Sequence, residues 1–222
     1  MTVRPAGRVT SLLEVPNGSL ELITTGSGLP ATVFAHGVDG SIQTTRPFGS
    51  GVKGSRTFLH FRGYGASSDP GRPLTYAALE DDLRAVADHV GATQALGVSM
   101  GAGAMCALLA HTPLRFDRLV FALPAALDRP RTDGALDGLE LAASAPLPDR
   151  AVLGAVTAPT LVIAQEQDPV HPVWVAEQLA ESLPHARLEV LPPGGILERH
   201  RKVMRDLVGG FLSGGALLTR RR

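Results

Sequence analysis

Short apolar runs and longer segments with helical spacing alternate along most of the chain. The apolar runs include ATVFAHG, QALGVS, DRLVFALP and APTLVIAQ, and the helical segments include YAALEDDLRAVADHV, MGAGAMCALLAHT and HPVWVAEQLAESL. Such alternation is typical of parallel strands joined by crossover helices. The sequence therefore predicts an α/β fold with a mostly parallel central sheet and helices on both faces.

Other segments refine this prediction. The stretch SLLEVPNGSLELITTG has two β-rich runs around Asn17-Gly18, a dipeptide typical of tight hairpins, so the sheet is expected to begin with an antiparallel pair. The helix over 76–90 has Thr75 as its expected N-cap. A length of 222 residues fits one domain spanning 1–222. The pattern lapses at about 125–157, where a small lid is expected, with one short helix in GALDGLELAAS.

Composition limits the partners of the chain. Basic and acidic residues number 21 each and the pI is about 7.1, so nothing in the charge favours nucleic acid or an anionic membrane. No run approaches the roughly 20 apolar residues of a membrane span. The single cysteine, Cys106, cannot form an internal disulfide. We therefore expect a soluble, cytoplasmic protein with a small-molecule substrate, whose oligomeric state the sequence does not define.

The segment GVSMGAG carries the strongest chemical signal. It joins an expected strand to an expected helix, and the G-x-S-x-G pattern is typical of a sharp turn that exposes a nucleophilic serine, here Ser99. The following helix would direct its first N–H groups at an anion, which makes the Met100 N–H an oxyanion donor. A second donor is expected just after an earlier strand, the one that ends in AHG. We assign this role to the N–H of Val38, the residue that follows AHG.

These features resemble the α/β-hydrolase superfamily over almost the whole chain. The resemblance is carried by AHG, FRGYGASS, GVSMGAG and APTLVIAQEQDPVHP. It implies the α/β-hydrolase fold: a mostly parallel sheet with an N-terminal antiparallel hairpin, helices on both faces and a very short lid. The chain departs from the family at His60, where an aspartate usually opens the loop, and we interpret this departure as structural.

The resemblance also implies an acid after the penultimate strand, where QEQDP places Asp168. An isolated Asp-Pro pair more often belongs to a turn or a helix cap, but the strand order favours the acid role. Asp128, after the preceding strand, is the second candidate.

The expected base is missing from its usual position. Relatives typically place a histidine just after the last strand, where this chain reads LPPGGILERH and has Ile196. His171 is the first alternative, because it lies three residues after Asp168 on a loop that faces the active site in this fold. His200 is the second, although a surface position in the last helix explains it as well. His36, in AHG, is expected to have a structural role and to hold by hydrogen bonds the loop that carries the oxyanion donor Val38.

The function expected from these residues is hydrolysis of a small carboxylic ester, thioester or lactone. Ser99 would be the nucleophile, and Asp168 would orient His171 or His200 as the base. No metal and no organic cofactor is implied. The alternative is a catalytically silent or non-hydrolytic protein of the same fold, such as a cyclase, lyase, isomerase or ligand-binding protein, which Ile196 favours.

Overall fold

A computed structural model describes residues 7–16, 18–38, 40–71, 73–131, 141 and 144–214. Within these residues no helix has both the length and the apolar character needed to cross a membrane. The expected short helix at 134–144 lies almost wholly outside the described residues, as does Asn17 of the hairpin turn. The predictions of one domain and of a small lid therefore stay predictions.

The centre of the fold is an eight-stranded sheet with the order β1-β2-β4-β3-β5-β6-β7-β8. β1 pairs antiparallel with β2, and β2 with β4, whereas all other neighbouring strands are parallel. The strands are β1 Val9–Val15, β2 Gly18–Thr25, β3 Ala31–Ala35, β4 Ser55–Leu59, β5 Gln94–Val98, β6 Arg118–Ala122, β7 Thr160–Gln165 and β8 Ala186–Leu191. The predicted sheet is confirmed, including its antiparallel start.

Helices cover both faces of this sheet. They are α1 Ile42–Thr45, α2 Tyr76–His89, α3 Met100–His111, α4 Val173–Ser182 and α5 Arg201–Leu212. α2, α3 and α4 share one apolar core with the sheet, and α1 and α5 share a second core with it. Neighbouring residues of a strand enter different cores, as Val33 and Phe34 of β3 do, because successive side chains of a strand point to opposite faces.

Local sequence explains the helix boundaries. The Thr75 hydroxyl accepts a hydrogen bond from the Ala78 N–H at 3.2 Å, so the predicted N-cap of α2 is confirmed. α5 begins directly after a π-helical turn, Gly195–Arg199, and His200 is its N-cap residue rather than a residue one turn inside the helix.

The strand order places the functional site. β3 lies between β4 and β5, so the chain leaves β3 toward one side of the sheet and later returns on the other. In open α/β sheets, ligands bind at such a reversal, beyond the carboxyl ends of the strands. Gly37 follows β3 and Ser99 follows β5, so both lie at this reversal.

Candidate active site

Ser99 occupies a strained turn between β5 and α3. Its backbone has φ 51° and ψ −109°, a conformation that is rare for a residue with a side chain. Hydrogen bonds hold this conformation: the Ser99 N–H donates to Ala122 O at 3.0 Å, and the Ser99 carbonyl accepts from Ala102 N at 2.9 Å. The surrounding structure therefore fixes the turn and leaves the side chain half-exposed, facing a cavity.

The glycines of the motif allow this turn to pack closely. A Cβ atom on Gly101 would lie 2.5 Å from Ala35 O, and one on Gly97 would overlap the Gly101 carbonyl. A Cβ atom on Gly103 would overlap the ring of Tyr76. Each of these positions therefore requires glycine for a steric reason.

The structure brings together Ser99, His171 and Asp168. His171 Nε2 lies 2.9 Å from Ser99 Oγ, and His171 Nδ1 lies 2.9 Å from Asp168 Oδ2. The side chains of His171 and Asp168 are each 17% exposed, so the contacts are shielded but not sealed from solvent. The geometry is that of a nucleophile, a base and an acid in a chain of two hydrogen bonds.

The loop after β7 explains the position of the imidazole. Asp168 Oδ1 accepts hydrogen bonds from the N–H groups of Val170 and His171, both at 3.0 Å. Burial raises the pKa of Asp168, but the hydrogen bonds from His171 and Val170 and the charge of His171 outweigh it and lower the pKa overall. An ionised carboxylate here suits the tautomer of His171 with its proton on Nδ1, in which Nε2 accepts a hydrogen bond from the Ser99 hydroxyl.

The other candidates lie elsewhere. His200 is half-buried at the start of α5, and its buried Nε2 has no hydrogen-bond partner among the described residues. It does not line the cavity that contains Ser99. Asp128 Oδ2 lies 3.7 Å from Arg150 Nε, and the hydrogen bond to His171 Nδ1 comes from Asp168. His171 is therefore the imidazole that the described structure brings into hydrogen-bonding contact with Ser99.

The two backbone groups assigned as oxyanion donors border the same cavity. Val38 and Met100 both line it, and among the described residues neither N–H donates a hydrogen bond within the protein. A Cβ atom on Gly37 would lie 3.1 Å from the Cβ of Ser99, so this loop passes directly beside the serine. Two unpaired N–H groups beside a serine hydroxyl are a suitable environment for a developing oxyanion.

His36 and His60 stabilise this loop and its surroundings through hydrogen bonds. The Nδ1–H of His36 donates to Gly37 O at 2.7 Å, and its Nε2 accepts from Phe61 N at 3.2 Å. Burial lowers the pKa of His36 to about 4, with a hydrogen bond to Gly37 opposing the shift and neighbouring His60 adding to it. His60 bonds the Ile42 N–H through Nε2 at 2.9 Å and Glu21 through Nδ1 at 2.7 Å. Both residues therefore have the structural role that their positions in the sequence led us to expect.

The cavity beside Ser99 has a volume of about 270 Å³ and mainly apolar walls. No Asp, Glu, Lys or Arg is among the described residues that line it. Ile196, in the place where relatives have their histidine, is 7% exposed and forms part of the wall together with Leu197. Phe48, Tyr76 and Leu123 also line it, and no sequence signal identified them, since core and cavity apolar residues have the same pattern.

The described residues contain no group of three or more His, Cys, Asp or Glu side chains arranged to bind a metal ion. Cys106 is fully buried within α3, and burial raises the pKa of its thiol to about 12. We assign it to the core.

Comparisons with known proteins agree with the observed fold. A family model described as alpha/beta hydrolase fold matches residues 57–145, a range that contains Ser99 but ends before Asp168. No curated protein sequence matched the chain. Among solved structures, a meta-cleavage product hydrolase from Pseudomonas fluorescens has a TM-score of 0.80 and 15% identity, with 94% of this chain and 98% of that chain covered.

Two esterases are similar at the same level. The esterase from Exiguobacterium antarcticum has a TM-score of 0.77 and 20% identity, covering 92% of this chain and 100% of that chain. Naproxen esterase from Bacillus subtilis has a TM-score of 0.71 and 16% identity, covering 91% of each chain. The chain thus has the α/β-hydrolase fold. At such identities the likeness establishes the fold and not the reaction.

Proposed function

We propose that the chain is a serine hydrolase that cleaves a small, uncharged carboxylic ester, thioester or lactone. The observation that carries the proposal is the pair of hydrogen bonds joining Ser99, His171 and Asp168. This pair supplies the general base whose usual position is occupied by Ile196. The isoleucine favoured a silent or non-hydrolytic protein only as long as no other imidazole lay within reach of the serine.

The proposed reaction begins with attack of Ser99 Oγ on the carbonyl carbon while His171 Nε2 takes the hydroxyl proton. The tetrahedral oxyanion is stabilised by the N–H groups of Val38 and Met100. The imidazolium then returns its proton to the departing alkoxide or thiolate, which leaves an acyl-serine. Water, deprotonated by the same nitrogen, releases the acid and restores Ser99.

The substrate class follows from the cavity. Its walls carry no charged side chain among the described residues, so an ionised acyl or leaving group would lose hydration without gaining an ion pair. A volume of about 270 Å³ lies just below the usual range for ligand pockets and suits a small substrate. We therefore infer a neutral, largely apolar ester or its thioester or lactone counterpart.

The test compares the wild type with Ser99→Ala on p-nitrophenyl acetate and butyrate and with a fluorophosphonate label. We expect turnover and covalent labelling in the wild type and neither in the variant. His200→Gln is the control, because the loss of this imidazole should leave turnover unchanged. Equal turnover or labelling in Ser99→Ala would reject the proposed nucleophile, and loss of activity in His200→Gln would reject His171 as the only base.

A further inference from the structure

Arg131 bridges two segments that form walls of the active-site cavity. The residue is 7% exposed. Its Nη1 donates to Ala125 O at 2.6 Å, in the loop that follows β6, and to Val170 O at 2.8 Å, in the loop that follows β7. Nη2 lies 3.5 Å from Pro169 O. The guanidinium thus contacts the backbone between Asp168 and His171.

The loop that Arg131 contacts, which follows β7, combines two proposed catalytic residues with an unusual backbone conformation. It carries both the proposed acid and the proposed base, three residues apart, and Gln167 beside them has φ 59°. Such a conformation persists only where the surroundings fix it. The hydrogen bonds of Asp168 to Val170 N and His171 N hold the loop internally, but they do not set its distance from Ser99. The contacts of Arg131 connect this loop to the backbone beside β6.

We propose that Arg131 is a positioning residue that holds the loop 168–171 at hydrogen-bonding distance from Ser99. The planar guanidinium directs several N–H donors in fixed directions, which suits the bridging of two carbonyl groups. Its carbon lies 5.8 Å from the ring centroid of Trp174, in the first turn of α4, so the aromatic face restrains the guanidinium further. The inference rests on the proposed function for its kinetic part and on loop geometry for the rest.

The kinetic test uses Arg131→Ala and Arg131→Lys with p-nitrophenyl butyrate. Displacement of His171 by even about 1 Å costs on the order of 10- to 100-fold in kcat, so we expect a loss in this range for the alanine variant. KM should change by less than about twofold, because the residue does not touch the substrate. Lysine keeps a charged donor but not the fork, so Arg131→Lys should recover part of the lost kcat.

Arg115 provides a matched control. Its Nη1 also donates to a backbone carbonyl, Ala92 O at 2.7 Å, and its guanidinium also lies over an aromatic ring, Phe116, at 4.9 Å. It lies just before β6 begins, at the opposite edge of the sheet from Ser99. Arg115→Ala and Arg115→Lys should lower the melting temperature without lowering kcat in the folded protein. A merely structural Arg131 would behave in the same way.

Two further measurements do not depend on turnover. Trp174 is the single tryptophan of the chain, so intrinsic fluorescence reports on the ring beside Arg131. Hydrogen exchange of the Val170 and His171 amides reports on loop opening. We expect a longer-wavelength emission maximum and faster exchange in Arg131→Ala, and wild-type behaviour in Arg115→Ala.

The outcomes separate the two proposals. If the wild type shows neither serine-dependent turnover nor labelling, the proposed function fails, and exchange with fluorescence still decides whether Arg131 holds the loop. If turnover is serine-dependent but Arg131→Ala keeps the wild-type kcat and exchange rates, the role of Arg131 is rejected. If Arg131→Ala does not fold, the kcat values of Arg131→Lys and Arg115→Lys are compared. An equal kcat in both variants would reject the positioning role of Arg131.

Discussion

The buried imidazole of His36 should make the free energy of unfolding depend on pH. The residue is 0% exposed, and its pKa in the folded protein is about 4 against an ordinary value of 6.5. The unfolded chain therefore binds the proton more readily than the folded one. The stabilising contribution is fully present above pH 6.5 and is lost as pH falls through about 4. The loss amounts to about 2 kcal/mol at pH 5 and about 3 kcal/mol near pH 4.

Urea unfolding followed by circular dichroism at pH 7 and pH 5 tests this prediction in the wild type and in His36→Gln. Glutamine has nearly the length of histidine and does not titrate. Asp168 and Glu21, whose pKa values are also lowered, titrate in both proteins and cancel in the comparison. We expect the wild type to lose about 2 kcal/mol more than the variant between these pH values. His89→Gln, at an exposed helix position, controls for the loss of an imidazole. Equal losses in the wild type and His36→Gln would refute the argument.

Five other substitutions test the site and its packing. Gly101→Ala should lower the free energy of unfolding by roughly 1–3 kcal/mol, because its Cβ would overlap β3. Gly210→Ala, at a position in α5 with open space around it, should raise the free energy of unfolding by about 0.5–1 kcal/mol. If urea unfolding shows changes of the same sign for both variants, the packing explanation is wrong. Asp168→Asn should lower kcat on p-nitrophenyl butyrate roughly 10³- to 10⁴-fold with little change in KM, and a wild-type kcat would exclude the acid role. Ile196→Ala should shift the maximum of kcat/KM toward longer acyl chains across a p-nitrophenyl ester series, and an unchanged maximum would place the acyl chain elsewhere. Ser99→Gly should be more stable than Ser99→Ala by about 1 kcal/mol in thermal unfolding, because glycine adopts φ 51° without strain, and equal stability would refute this.

The sequence predicted those features that depend on local pattern. Alternation of apolar runs and helical spacing located the strands and long helices, since each element must bury one face or both. The turn at Ser99 could be predicted as well, because the G-x-S-x-G pattern places glycine at 97 and 101, where the structure leaves no room for a Cβ atom. The choice between His171 and His200 as the base could not be predicted, because it depends on how the loop after β7 is placed relative to β5. Arg131 gave no signal either, since it donates to the carbonyls of Ala125 and Val170, and every residue has a backbone carbonyl.

The placement of the proposed acid and base on one short loop determines which contact of the site a movement of that loop would break. The bond between Asp168 and His171 lies within the loop and is supported by two further hydrogen bonds there, so a rigid shift of the loop preserves it. The same shift changes the distance between His171 Nε2 and Ser99 Oγ directly. If acid and base lay on separate loops, movement of either loop would change the acid–base distance as well. Here the contact with the nucleophile is the vulnerable one, and residues that anchor the loop from outside should therefore affect the proton-transfer step more than substrate binding.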